Sequence, residues 1–119
     1  MSGPNLELIE VTTELRKASL RLAEGSRQLF TLAREKAEAE GEYRRSLAIR
    51  MLALKEAGQS VTLIPDIARG ECSELKFARD LAEARYQAGR DSLEAIRVQV
   101  SALQTIIRYQ AEVEKGDTE

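Results

Sequence analysis

Positively charged side chains gather around the stretch QSVTLIPDIARG, residues 59–70, which separates two long charged segments. The cations on its two sides are Arg44, Arg45, Arg50, Lys55, Arg69, Lys76 and Arg79. An antiparallel hairpin turning near Pro65 would bring all seven to one end of the molecule. The unpaired N–H groups of a helix starting near residues 70–73 would add positive charge there. This spacing predicts a site for an anionic, phosphate-containing ligand.

Two aromatic residues, Tyr43 and Phe77, adjoin these cations and offer rings on which a base could stack. The candidate ligand-binding residues are Tyr43, Arg44, Arg50, Arg69, Lys76, Phe77 and Arg79. Two plainer interpretations stay open: Phe77 as a core residue, and acidic neighbours that neutralise the cations in surface ion pairs of little energy each. Those acidic neighbours are Glu56, Asp66, Glu71, Glu74 and Asp80.

Catalytic chemistry has little support in this sequence. The chain has no histidine to act as a general base or zinc ligand, no glycine-rich phosphate loop and no nucleophile motif. The single cysteine, Cys72, has no partner for an internal disulfide and no recognisable base. We therefore expect a protein that is not an enzyme and needs neither a cofactor nor a metal.

Apolar residues three and four apart predict a first helix over residues 5–57, with Asn5 as its N-cap. The stripe comprises Leu8, Val11, Leu15, Ala18, Leu22, Leu29, Leu32 or Ala33, Tyr43, Leu47, Met51 and Leu54. Gly25 and Gly41 lie within the helix, and either glycine is a place for a bend or a break. Gly58 is free to adopt the left-handed conformation that ends a helix.

The second helix is predicted over residues 72–113, with a flexible tail at 114–119. Its heptad seam comprises Ala82, Tyr86, Gly89, Leu93, Ile96, Val100, Leu103 and Ile107. A stripe on the nearly opposite face comprises Leu81, Ala84, Ala88, Ala95, Val98, Ala102, Ile106, Tyr109 and Val113. A hairpin neighbour covers only one face, so the other face requires more helices.

These elements predict an all-α fold: a single helical domain over residues 1–119, built as a long antiparallel helical hairpin with an apolar connecting loop. Two helices bury a small core, so we expect a homo-oligomeric helical bundle. The alternative is a monomer whose first helix breaks at Gly25 or Gly41 and folds back. The predicted oligomer or partner contacts are Leu63, Ile64, Ile67, Leu93, Ile96, Val100, Leu103 and Ile107.

The connecting loop, residues 58–71, is unusually apolar. Proline disfavours the helical conformation of the residue before it, so Ile64 is expected to be extended, with Pro65 opening one short helical turn. Val61, Leu63, Ile64 and Ile67 then cap the end of the bundle or contact another protein. A helix-turn-helix module is a lower-ranked alternative, because Pro65 would fall inside its recognition helix.

Composition narrows the classes of partner. The chain has 119 residues, a formal net charge of −2 and a pI near 5.4. It therefore lacks the broad attraction to nucleic acids and anionic membranes that basic proteins have. No apolar run is long enough to span a bilayer, and the first residues do not resemble a secretory signal, so the cytoplasm is the expected location.

The segments EYRRSLAIRMLALKEAGQSVTLIPDIARG and LKFARDLAEARYQAGRDSLEAIRVQVSALQTIIRYQAE, within residues 42–112, resemble short all-helical accessory proteins encoded by bacteriophages of Firmicutes. Some small oligomeric phage proteins of this kind are sponges, which trap the ADP-ribose-derived signals of bacterial immunity without cleaving them. The resemblance implies a phage protein acting in the host cytoplasm. It transfers no ligand-contact residue to this chain.

Two functions follow from the sequence. The first is a homo-oligomeric sponge that sequesters a small anionic nucleotide at the predicted cationic site. The second is a coiled-coil adaptor or assembly protein, whose connecting loop binds another protein through Leu63, Ile64 and Ile67. The helix-turn-helix module that binds DNA remains the least favoured.

Overall fold

A computed structural model describes residues 6–118 and the side chains of residues 7–116. The described residues form three helices and no strand: α1 spans Leu6–Glu56, α2 Ile64–Glu71 and α3 Ser73–Thr118. The all-α class and the long pair of helices are confirmed. The expected N-cap, Asn5, lies outside the described residues. Within residues 6–118, none of the helices carries an apolar stretch long enough to traverse a bilayer.

The long helices are more continuous than the sequence suggested. Neither Gly25 nor Gly41 interrupts α1, because one glycine costs about 1 kcal/mol, which the surrounding helix formers and the packed stripe outweigh. The helix α3 continues to Thr118 through residues expected to form a tail. Glu114 and Lys115 favour helix. The weaker helix formers Gly116, Asp117 and Thr118 occupy only the last turn.

Gly58 ends α1 as predicted. It has a φ of 82°, the left-handed conformation that glycine adopts without a Cβ clash. Its N–H donates to the Lys55 carbonyl at 3.1 Å, and the Gln59 N–H donates to the Leu54 carbonyl at 3.1 Å. This pair of bonds is a Schellman motif, which satisfies carbonyls that the helix end would leave unpaired.

The conformation expected for Ile64 is wrong, because Ile64 is the first residue of α2 and is not extended. The Ser60 carbonyl accepts hydrogen bonds from the N–H groups of Leu63 and Ile64, which starts the helical turn. Pro65 then occupies a first-turn position where a missing N–H costs nothing. Burial of Ile64 outweighs the moderate disfavour that a following proline imposes on the helical conformation.

The predicted stripes of α3 have the expected difference in burial. Leu93 is buried, and the other seam residues between Ala82 and Ile107 are half-buried. Every residue of the opposite stripe, from Leu81 to Val113, is exposed. The α1 stripe from Leu8 to Leu54 is likewise buried or half-buried. The heptad seam is therefore covered within one chain, whereas the opposite stripe is not.

Contacts divide the chain into two compact units. The terminal unit comprises residues up to Gln28 together with those from Gly89 onward, and the central unit comprises Leu29–Ala88. In the terminal unit, Ala18 and Leu93 are buried, and the Arg21 guanidinium donates to the Gln99 side-chain oxygen at 2.7 Å. Gly25 faces Leu93 so closely that an added Cβ would lie 2.8 Å from the Leu93 Cδ1 atom.

In the central unit, the core lies where the chain reverses direction. Leu54, Ile64 and Ala68 are buried together, with Leu47, Met51 and Ile67 packed against them. Cys72 is buried at the junction of α2 and α3. Its N–H donates to the Ala68 carbonyl, and its carbonyl accepts from the Lys76 N–H, both at 3.0 Å. Cys72 is thus a small buried residue of this junction.

The two mid-helix glycines of α1 should respond differently to alanine. Gly41→Ala meets no atom within 4 Å, so its higher helix propensity should raise the free energy of unfolding by about 1 kcal/mol. Gly25→Ala should give a smaller gain or a loss, because buried Leu93 must move. Urea denaturation of both variants measures the difference. Equal stabilisation of both would show that Leu93 does not constrain position 25.

Candidate functional site

All seven predicted ligand-binding residues lie in the central unit, but they do not form one cationic cluster. Most of the guanidinium groups already bind carboxylates of the same chain. The observed pairs are Arg44 with Glu40, Arg45 with Glu42, Arg50 with Glu71, Arg69 with Asp66, and Arg79 with Asp80 and Glu40. Asp66, Glu71 and Asp80 pair with cations as the surface ion-pair alternative expected, and Glu40 and Glu42, which that alternative did not name, bind the others.

Tyr43 is the centre of a contact between α1 and α3. Its side chain is buried, and the Arg79 guanidinium lies over its ring, 4.6 Å from the ring centroid. Cation–π attraction and packing hold Arg79 in this position. The covered face of Tyr43 is not accessible to a base, so the structure gives the ring a role in helix packing.

Glu40 links two of the predicted cations. One carboxylate oxygen accepts a 2.7 Å hydrogen bond from Arg44 Nε, and the other lies 3.6 Å from Arg79 Nε. Asp80 accepts a further hydrogen bond from Arg79 at 2.9 Å and is the main cause of a raised pKa of Arg79. Two carboxylates thus balance the charge of these two guanidinium groups.

Arg50 and Glu71 connect α1 to the end of α2 through two hydrogen bonds. Arg50 Nε donates to one carboxylate oxygen and Arg50 Nη2 to the other, the second at 3.1 Å. This fork geometry suits the planar guanidinium. The hydrogen bond from Arg50 lowers the pKa of Glu71, and their charges act in the same direction. The pair fixes the position of α2 on α1.

The remaining predicted ligand residues are solvent-facing. Phe77 is 69% exposed, so it is not part of the core, and it extends the exposed stripe of α3 one turn before Leu81. Lys76 is exposed, and neither Lys76 nor Lys55 takes part in the ion pairs among residues 7–116. The spacing from Phe77 to Leu81 is a helical step of four, which could have placed Phe77 on that stripe.

A groove of about 670 Å³ lies between α1 and α3 in the central unit. It is lined by Ala33, Lys36, Ala37, Glu40, Arg44, Arg79, Glu83 and Tyr86. The ammonium group of Lys36 lies over the Tyr86 ring, 4.9 Å from its centroid. The lining mixes three cations with two carboxylates, so a phosphate group would have to compete with Glu40 for Arg44 and Arg79.

A second groove, of about 410 Å³, lies where the chain reverses, and its lining is largely apolar. It is lined by Met51, Leu52, Lys55, Val61, Ile64 and Pro65. We call it the reversal groove. Val61 is 77% exposed and Leu52 58% exposed at this groove. Lys55 provides the one charge in its lining.

The predicted contact residues of the loop have different positions. Ile64 is buried and Ile67 is half-buried against the same core, so both stabilise the fold. Leu63 is exposed. The apolar residues that remain available at the reversal are therefore Leu52, Val61 and Leu63. Sequence reasoning missed Leu52, because its position on the outer face of α1 lies off the main stripe.

The structure removes the objection that Pro65 raised against a helix-turn-helix module, but it shows no suitable recognition helix in this region. Pro65 lies in the first turn of α2, so it does not disrupt that helix. However, α2 has only eight residues and buries Ile64 and Ala68. Only Cys72 separates it from α3. Its exposed charges also include Asp66 and Glu71, which phosphate groups repel.

Among residues 7–116, no three carboxylate or cysteine side chains converge as metal ligands. What the geometry offers is an apolar groove beside ordered ion pairs. Such a surface can bind an apolar side chain of another molecule and leave room for a carboxylate of that molecule beside Lys55.

Removal of the Arg50 guanidinium should raise the pKa of Glu71 towards its ordinary value. Because the folded-state pKa is lowered, the pair stabilises the fold at neutral pH, and this contribution is lost as pH falls through that pKa. Carboxyl NMR titration of the Arg50→Ala variant measures the change. Glu24, whose pKa is lowered by Arg27 in the terminal unit, is the internal control. An unchanged Glu71 titration would contradict the ion pair.

Comparisons of the chain with protein-family models, curated proteins and solved structures found no match. The resemblance to helical phage proteins stays a prediction, as do the phage origin and the cytoplasmic location. The contacts, exposures and charges described above are therefore the basis for inferring a function.

Proposed function

We propose that this chain is a non-enzymatic adaptor or assembly protein that binds another protein at the reversal groove. The observation that carries the proposal is the exposure of Val61 and Leu52, which both line the reversal groove beside a packed core. Large apolar side chains clustered at one exposed place are typical of protein-binding surfaces. Here the backbone beneath them is fixed, so binding costs little conformational entropy.

The order of the groove comes from the residues beneath it. The buried side chain of Ile64 forms part of both the core and the groove lining, so the core fixes the groove's shape. The Schellman motif at Gly58 fixes where α1 ends, and Arg50 with Glu71 fixes α2. A preformed apolar groove of this size accommodates one or two side chains of an amphipathic helix.

The charge at the groove narrows the chemistry of the partner. Lys55 lines the groove and takes no part in the ion pairs among residues 7–116. A partner segment that places an apolar side chain against Val61 and a carboxylate beside Lys55 would satisfy both groups. We therefore propose an amphipathic segment with an acidic residue at its edge as the ligand.

Nucleotide sequestration has weaker support from the same unit. Glu40 and Asp80 balance Arg44 and Arg79, and Glu71 binds Arg50 in a fork. A phosphate would replace carboxylates that are already well placed, so little binding energy would remain. The exposed Phe77 and Lys76 are compatible with either function.

Val61→Lys should weaken binding of the partner, because it replaces an apolar contact in the groove with an ammonium group. Tagged wild-type and variant chains, produced in the natural host cell, would be compared by mass spectrometry, and the purified partner would then be titrated. The dissociation constant should rise at least about tenfold. Phe30→Lys is the matched control, since Phe30 is exposed in the same unit but lines neither groove described above.

Two results would contradict this function. The first is partner binding that is equal in the wild type and in Val61→Lys. The second is a rise in melting temperature with ADP-ribose cyclic isomers that disappears in Arg79→Ala, since a ligand binding only the folded state stabilises it. That result would favour the nucleotide sponge over the adaptor.

A further inference from the structure

The part of α3 in the terminal unit has an apolar stripe that is exposed in the structure of residues 7–116. It comprises Ala95, Val98, Ala102, Ile106, Tyr109 and Val113. Val98 is 61% and Tyr109 65% exposed, whereas Leu93 on the opposite face is 4% exposed. One helix thus has one face packed and one face free, and the free face has the three-and-four spacing of a coiled-coil surface.

The polar residues along this stripe decide which orientation of a second copy it accepts. In heptad notation, Ala95, Ala102 and Tyr109 are a positions, Ile106 and Val113 are e positions, and the d positions are Asp91, Val98, Thr105 and Glu112. A parallel pair in register would place Asp91 against Asp91 of the second copy. Two carboxylates facing each other in a partly buried layer repel, so the parallel arrangement is disfavoured.

An antiparallel pair centred on Ser101, in the sense that the two Ser101 residues lie side by side at g positions, removes that conflict. In antiparallel coiled coils an a residue faces a d residue of the other helix. Val98 then faces Ala102 of the second copy, and Asp91 faces Tyr109, whose O–H can donate to the carboxylate. Alanine at Ala95 and Ala102 lets the two helices approach closely. Asp91 thus meets a hydrogen-bond donor, and the other acidic d residue, Glu112, lies near the end of the stripe.

The charges beside the stripe agree with the same register. Glu94, Ser101 and Arg108 are all g positions on one flank. In an antiparallel pair g residues face g residues, so centring on Ser101 places Glu94 beside Arg108 of the second copy, twice by symmetry. Within one chain, Glu94 lies 3.6 Å from Arg97 in an exposed pair, and Arg108 enters no ion pair among residues 7–116.

We propose that two copies of this chain associate through this stripe of α3, antiparallel and centred on Ser101. This inference names the surface and orientation of the homo-oligomer that the sequence predicted. It does not depend on the proposed adaptor function, because the reversal groove lies in the other unit. Loss of partner binding and loss of self-association are therefore separate results.

The molecular mass in solution tests the surface. Sedimentation equilibrium of the full chain should give a dimer, and Val98→Lys should raise its dissociation constant at least about tenfold, because a charge enters the apolar layer. Leu20→Lys is the matched control: Leu20 is 64% exposed on α1 in the same unit, off this stripe. A monomeric wild type, or equal effects of both variants, would overturn the proposal.

Charge reversal tests the orientation. Glu94→Lys alone and Arg108→Glu alone each create two like-charge contacts, and each should weaken the dimer by roughly tenfold. The double variant restores opposite charges and should return to within about threefold of the wild type. Circular dichroism verifies that each variant stays helical. A double variant as weak as the sum of the single changes would rule out the antiparallel register.

Discussion

Two packed helices can enclose only the strip of side chains that lies between them, and this limit governs the whole molecule. Among the described side chains, only Ala18 and Ala68 are completely buried, and no large side chain is. In each unit the fold therefore relies on the strip of contact between its helices, and it leaves large apolar side chains in solvent. Those side chains are where further association becomes favourable, because their burial removes apolar surface from water.

Much of the fold could be predicted from residue spacing. The seam from Ala82 to Ile107 and the α1 stripe were identified correctly, because a period of 3.6 residues directly reports which side of a helix is covered. The prediction that Gly58 ends α1 in the left-handed conformation was also correct, since the conformational freedom of glycine is a local property. Ile64 was wrong because its conformation depends on burial against Leu54 and Ala68, which a local rule about proline does not include.

The candidate site was harder to predict than the fold. The sequence shows which cations lie near the reversal. Whether a cation is available to bind an anionic ligand depends on which carboxylates of the chain reach it in three dimensions. The pairing of Arg44 with Glu40 is a helical step of four and was accessible from spacing. The contacts of Arg79 with Tyr43 and of Arg50 with Glu71 join separate helices, and their register follows only from the packed structure.

The chain reversal also affects the conformational entropy that the chain loses on folding. Leu54 and Ile64 are separated by few residues, whereas Ala18 and Leu93 are separated by most of the chain. Because the entropy lost on closing a loop grows with its length, the contacts around Ile64 carry a smaller closure penalty than those between the two ends of the chain. Once that short loop is closed, each additional turn of α1 against α3 within the central unit adds contacts between segments that are already neighbours.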